Sequence, residues 1–128
     1  MTAKGAFLLL AADYQVGVDG TFKIGLNEVA IGMTMHYGGV ELARGRLAPV
    51  FFNLSVLLAE MVSPQEAVTA GFLDKVVSEA EFAPTVQAIA QAMTKLDMKA
   101  HHQTKLKARA ESLLVLDECI EKDRHSSL

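Results

Sequence analysis

Residues 21–39, TFKIGLNEVAIGMTMHYGG, limit the fold more than any other stretch of the chain. Gly25, Gly32, Gly38 and Gly39 weaken any long helix or strand there, and they permit turns and close backbone approaches that a Cβ resists. Charge is scarce in the stretch, and its single acid, Glu28, sits among apolar neighbours. Such a carboxyl is either a helix-capping group or a general acid/base kept in a dry pocket. An apolar setting favours its neutral form, which brings proton exchange towards physiological pH. The residues alone leave both readings open, because single acids beside glycines are common in ordinary turns.

Upstream, residues 5–12 are too uniformly apolar to show a period and fit either a buried helix turn or a strand. Lys4 precedes this run as in a signal peptide, yet Asp13 interrupts it early and no small-residue cleavage site follows, so it reads as core. No apolar run reaches the length of a membrane span. A chain that opens on buried-looking residues resembles the middle of a domain, and its first elements need neighbours that another chain would supply. Tyr14, Val16 and Val18 alternate and predict a short strand within residues 13–18. Asp19-Gly20 is a tight-turn pair, so residues 21–25 are expected to return as its hairpin partner. Residues 27–31 fit a single turn.

From residue 37 to 47 the pattern is helical, with Val40, Leu42 and Ala43 inward and Arg44 and Arg46 outward. Pro49 suits the first turn of a helix over 50–61, which is apolar on nearly every side and so belongs in a core or against another subunit. Ser63-Pro64-Gln65-Glu66 is a capping-box start, and Gly71 a stop. Residues 72–77 read as a short strand and 78–96 as an amphipathic helix with Pro84 near its start. Leu106, Ala110, Leu113, Leu116 and Ile120 predict one long helix over 99–123. The basic run Lys99, His101, His102, Lys105, Lys107 and Arg109 is a solvated helix face by default.

At 128 residues the chain suits one packed domain, with 51% hydrophobic and 21% charged residues. Within it, residues 1–60 form a partial core holding the glycine/glutamate segment, and 61–128 a helical region. A net charge of −3 and the lack of any nucleic-acid motif argue against DNA or RNA as partner. The single cysteine, Cys119, excludes an internal disulfide or a Cys-rich metal site and fits a reducing, cytoplasmic setting. His36 has no second His or acid at metal spacing, so no metal site is expected.

Several ordered blocks carry a resemblance. Leu10-Ala11-Ala12-Asp13-Tyr14-Gln15-Val16, Ile24-Gly25-Leu26-Asn27-Glu28-Val29, Gly32, Gly38-Gly39, the run from Met61 to Val77 and Thr104-Lys105 together resemble the crotonase superfamily of enoyl-CoA hydratases and isomerases. The resemblance spans nearly the whole chain but only the second half of the family's fold. It implies a truncated α/β fold of the ClpP/crotonase type, short strands followed by helices, and a trimeric or hexameric assembly. It also implies acyl-CoA thioester chemistry of the fatty-acid type, with no cofactor beyond the coenzyme A of the substrate. In that family two backbone N–H groups hold the thioester oxygen and carboxylates move protons.

By resemblance Glu28 falls on the second of the family's two catalytic glutamates, and the first position is occupied by Phe7. Phenylalanine transfers no proton, so two-acid hydration is disfavoured and a single-base enolate reaction is easier. The second oxyanion donor falls in the Lys4-Gly5 turn, at Gly5; the first would lie in the half of the fold outside this resemblance. Phe7, Met33 and Met35 are candidates to line an acyl pocket, with His36 and Tyr37 beside them, and Lys105 to meet CoA phosphates. The competing reading is a non-catalytic homologue that binds acyl-CoA or serves assembly.

A chain with uncovered first elements is expected to self-associate. Sedimentation should show an oligomer, and a monodisperse monomer with no dye-binding apolar surface would contradict that expectation.

Overall fold

The apolar opening run is a helix. The structure, a computed structural model, describes residues 3–126, and Met1, Thr2, Ser127 and Leu128 lie outside it. Helix α1 (Ala3–Ala11) is built from Ala and Leu, both strong helix formers, and places Ala6 and Leu10 on one buried face, four residues apart. Gly5 therefore belongs to the first turn of a helix, not to a loop turn as its sequence setting predicts.

Strand β1 (Val16–Val18) pairs in parallel with β2 (Lys75–Val77), Val16 opposite Lys75 and Val18 opposite Val77. The expected hairpin at Asp19-Gly20 does not form. The Asp19 N–H donates to the Val77 carbonyl at 2.8 Å and so extends the pairing with β2, while its Oδ1 accepts from Gly20 N–H at 2.8 Å and bends the chain off the sheet. Residues 21–25 consequently reach a different neighbour. Ile24 forms an isolated antiparallel bridge with Val62, each N–H donating to the other's carbonyl at 2.9 Å.

A 3₁₀ turn (Val29–Ile31) follows and ends at Gly32, whose φ of 79° is the left-handed region that glycine enters freely. Helix α2 (Tyr37–Arg46) matches its expected span. Helix α3 (Pro49–Phe52) has Pro in its first turn and passes into one π-type turn (Asn53–Leu57). The longer helix expected over 50–61 stops there, because Ala59 takes a φ of 54°. Val50, Leu57 and Leu58 stay exposed.

Helix α4 (Pro64–Ala70) begins with the capping box that its sequence spells. Ser63 Oγ accepts from Glu66 N–H and the Glu66 carboxylate accepts from Ser63 N–H. Such a cap is worth about 1 kcal/mol. Gly71 ends the helix at a φ of 108°, and a Cβ there would lie 2.6 Å from the Arg46 carbonyl oxygen. Helix α5 (Glu79–Thr94) is capped by Ser78. The expected single helix over 99–123 is two, α6 (Met98–Ala108) and α7 (Ala110–Arg124), separated at Arg109 with φ −107° and ψ 10°. The break lets α7 lie along α2, while Lys105 of α6 and Arg109 at the junction meet Asp13, just past the end of α1.

The core is apolar, with Leu10, Leu26, Val62, Phe72 and Leu73 at its centre. One polar knot crosses it. Gln15, 1% exposed, donates from Nε2 to the Leu9 and Ala12 carbonyls at 2.5 and 2.7 Å, so it caps the end of α1. Its Oε1 accepts from Arg46 Nη2 at 2.6 Å. The same nitrogen meets Asp74 Oδ1 at 2.6 Å, and Arg46 Nε donates to the Gly71 carbonyl at 2.9 Å. Asp74 closes the ring by accepting from Gln15 N–H at 2.9 Å through Oδ2. Arg46, expected to point outward, is thus turned in by three acceptors that its neighbours in sequence do not reveal.

Removing one partner from such a partly buried network leaves the others unsatisfied. Arg46→Ala should cost about 2–3 kcal/mol in urea denaturation, and Arg46→Lys should recover little because an ammonium cannot reproduce the planar fork. A loss under 0.5 kcal/mol, the range of an ordinary surface change, would refute the role.

Candidate active site

Glu28 is the buried acid of the loop that leads to α2. It stands at the head of the 3₁₀ turn yet makes no capping hydrogen bond, so the capping alternative does not describe it. Its residue is 6% exposed, and its Oε1 is buried with no hydrogen-bond partner among the described residues. Buried carboxyl oxygens are normally satisfied, and an unsatisfied one is a place where a ligand or water can be received. The backbone around it is firmly tied: the Glu28 carbonyl accepts from Met33 N–H at 2.8 Å and from Ile31 N–H at 3.1 Å.

The loop then delivers Met35 and His36 to the face of α1 that carries Phe7. The Phe7 and His36 rings have centroids 5.1 Å apart at 41°. Gly39 makes this possible, since a Cβ on it would lie 2.7 Å from His36 Cε1, 2.8 Å from the Phe7 ring tip and 2.9 Å from Met35 Sδ. Met35 and Phe7 are partly buried and pack against the core. Met33 does not join them; it is 50% exposed and its described tie is the backbone bond to Glu28. Gly5 lies two residues before Phe7 on α1, where the first N–H groups of a helix have no partner within it and carry the positive end of its dipole.

His36 is the N-cap of α2. Its Nδ1 accepts from Gly39 N–H at 2.7 Å, which caps α2 and leaves the proton of the neutral ring on Nε2. Asp123 of α7 completes the cap, its two carboxylate oxygens accepting from Tyr37 N–H at 2.8 Å and Gly38 N–H at 2.9 Å. Burial works to raise the Asp123 pKa, but the Gly38 and Tyr37 N–H donors and the nearby His36 outweigh it and hold the carboxyl below its usual 3.8. The signal for His36 was present, since an acceptor three residues before a helical N–H is the spacing of Ser63 and Ser78. Nothing local marks Asp123, which comes from the far end of the chain.

Lys105 sits apart from Glu28's loop. Its ammonium binds Asp13, just past the end of α1, at 2.8 Å, and Arg109 Nη2 meets the same oxygen at 2.8 Å, with His101 Nε2 at 3.6 Å from the other. The Lys105 hydrogen bond, helped by the charges of Lys105, Arg109 and His101 against some burial, holds the Asp13 carboxyl below its usual value. This cluster edges an open groove of about 450 Å³ that also takes in Leu96 and Thr104. Glu28 does not line that groove, so the two candidate regions are separate. Cys119 is buried, and burial with the neighbouring Glu41 and Asp123 pushes its thiol pKa up, away from nucleophilic use. Among the described residues no group of His, Cys, Asp or Glu is arranged to hold a metal, and no helix is long and apolar enough to cross a membrane.

Residues 1–126 match the enoyl-CoA hydratase/isomerase family. No curated protein matches the chain. Among solved structures, an enoyl-CoA hydratase/isomerase family protein from Pseudomonas syringae is 57% identical with a TM-score of 0.97, over 99% of this chain and 55% of its own. The enoyl-CoA hydratase EchA3 from Mycobacterium ulcerans is 34% identical with a TM-score of 0.91, over 96% of this chain and 54% of its own. Human mitochondrial delta3-delta2-enoyl-CoA isomerase is 27% identical with a TM-score of 0.83, over 95% of this chain and 48% of its own. The chain belongs to the enoyl-CoA hydratase/isomerase, or crotonase, family and spans about half the length of the solved relatives it matches.

The double cap makes two measurable claims. His36→Asn should keep the start of α2, since Asn caps as well as any residue, whereas His36→Ala should cost about 1 kcal/mol. The Asp123 carboxyl is lowered in the folded state, so its contribution is complete above the ordinary carboxylate range and is lost as pH falls through the lower folded value. The stability gap between wild type and Asp123→Ala should therefore be flat above about pH 5 and close in acid; a gap that widens in acid would contradict the assignment.

Proposed function

We propose that this member of the family acts on acyl-CoA thioesters by enolate chemistry, with Glu28 as the proton-transfer group. The observation that carries the reading is the buried, unpartnered Glu28 Oε1 in a chain of this family. In the forward step the Glu28 carboxylate takes a proton from the carbon next to the thioester, or from the one beyond the double bond, and the electron pair moves towards the thioester oxygen. Backbone N–H donors aimed at that oxygen stabilise the charge where it develops. The Gly5 N–H in the first turn of α1 suits one such donor. Glu28, now protonated, returns the proton to a carbon of the shifted double bond, so one carboxyl completes an isomerisation without a second acid. Phe7 at the place of the family's first glutamate supports this single-base outcome over hydration, with Phe7 and Met35 offering apolar surface to the acyl chain.

Lys105 enters this reading as a partner for CoA phosphates only by sharing its ammonium with Asp13. Arg109 beside it supplies a second cation at the same groove. Fatty-acid metabolism in a cytoplasmic setting accords with this substrate class. A second reading, a catalytically impaired homologue used for acyl-CoA binding or for trimeric or hexameric assembly, draws support from the exposed Val50, Leu57 and Leu58.

The test is optical. With a short 3-enoyl-CoA, the conjugated thioester absorbance should rise, and with a 2-enoyl-CoA little hydration should follow. Glu28→Gln should lower the rate by roughly 10²–10⁴-fold without loss of fold. A variant as active as wild type would remove Glu28 from the mechanism, and no turnover of either substrate by wild type would favour the binding or assembly reading.

A further inference from the structure

The turn that stands where a hairpin was expected holds a reactive pair. Asp19 is the chain's one aspartate followed by glycine, and no asparagine precedes a glycine. Both residues of the pair are exposed, just past the end of β1. Gly20 N–H donates to Asp19 Oδ1 at 2.8 Å, so its nitrogen lies beside the side-chain carboxyl of the residue before it. Gln65 Nε2, from the first turn of α4, donates to the same oxygen at 2.6 Å. With two N–H donors on Oδ1, the neutral form of this carboxyl carries its proton on Oδ2. Oδ1 is then the carbonyl oxygen and Oδ2 the hydroxyl. The fold also requires glycine after the acid. Gly20 has a φ of 149°, and a Cβ on it would lie 2.8 Å from Phe22 Cε2. No Cβ therefore shields the Gly20 nitrogen. The other aspartates are followed by Tyr14, Lys75, Met98, Glu118 and Arg124, whose side chains hinder the same approach.

We propose that Asp19-Gly20 is a site of spontaneous isomerisation in the folded protein, assisted by Gln65. Rotation of the exposed Asp19 side chain turns Cγ towards the Gly20 nitrogen, which gives its proton to water and attacks Cγ. The charge that gathers on Oδ1 is met by Gln65 Nε2. The hydroxyl at Oδ2 takes up a proton and leaves as water, closing a cyclic imide of Gly20 N with the C, Cα, Cβ and Cγ atoms of Asp19. A water then adds back. Addition at Cγ restores aspartate. Addition at the main-chain carbonyl carbon gives isoaspartate, whose chain runs through Cβ and Cγ and whose free carboxylate sits on Cα. The water lost equals the water gained, and no oxidant or reductant takes part. Isoaspartate lengthens the main chain between β1 and the Ile24–Val62 bridge by one carbon, and it takes from Gln65 the carboxylate oxygen on Cγ that it holds. The inference does not depend on the acyl-CoA chemistry proposed above.

Ageing the protein in warm, neutral buffer tests it. Trypsin releases residues 5–23, which contain both Asp13 and Asp19. Aged wild type should give a second form of this peptide with the same mass and a shifted retention, and fragmentation should place isoaspartate at position 19 and not at 13. Gln65 is exposed, so Gln65→Ala should keep the circular dichroism of wild type. It should slow the accumulation roughly 2–10-fold, the rate worth of one ordinary hydrogen bond. In urea the two proteins should age alike, because the unfolded chain makes no Gln65 contact. Absence of isoaspartate at position 19 in the aged folded chain overturns the inference. Equal rates for folded wild type and Gln65→Ala also overturn it, as does faster accumulation in the variant, which would mean that the contact protects the pair.

Discussion

The contact on which the rest of this structure depends is the Arg46 guanidinium held between Gln15, Asp74 and the Gly71 carbonyl. Four junctions meet there: the end of α1, the start of β1, the end of α2 and the turn between α4 and β2. Apolar packing brings these elements together without fixing their angles, since burial is proportional to area and not to direction. Hydrogen bonds are directional, and a planar fork with three acceptors accepts few arrangements. The knot thereby sets where α2 ends, and with it where α2 begins, at His36 and Gly39 beside Phe7.

The site follows from that placement. Glycine at position 39 lets Phe7, Met35 and His36 crowd the first turn of α2, and Asp123 clamps the same turn from α7. The loop entering this turn is the one that carries Glu28, which is buried yet has no partner on Oε1 among the described residues. Leaving a buried oxygen unsatisfied costs about 1–3 kcal/mol, and folds retain such costs mainly where the group has work to do.

Local rules made much of this legible in the sequence. Ser63-Pro64-Gln65-Glu66, Gly71 and Ser78 encode helix ends through bonds that span only three or four residues, so their positions could be read directly. Residues 37–47 carried enough helical pattern to place α2. The failures share a cause. Asp19-Gly20 has the chemistry of a hairpin turn, but Val77, far along the chain, takes the Asp19 N–H. Arg46 looks like a solvent-facing charge until Gln15 and Asp74 are brought beside it. Residues 99–123 keep one apolar stripe across a break that exists because α6 and α7 pack on different partners. Glu28 was visible as an isolated acid among glycines and apolar residues, and setting aside the cap needed the fold. His36 has no metal partner at ligand spacing in the sequence; its partner is a backbone N–H three residues on.

The most direct test of this account is the exchange of the Arg46 Nε–H in the labelled protein at neutral pH. Arg44, whose side chain is 61% exposed and lies over the Phe52 ring, is the control on the same helix. If Arg46 is held as described, its Nε–H gives a separate resonance that persists well beyond that of Arg44. If the two exchange alike, the guanidinium is free in solution and the knot does not organise the fold.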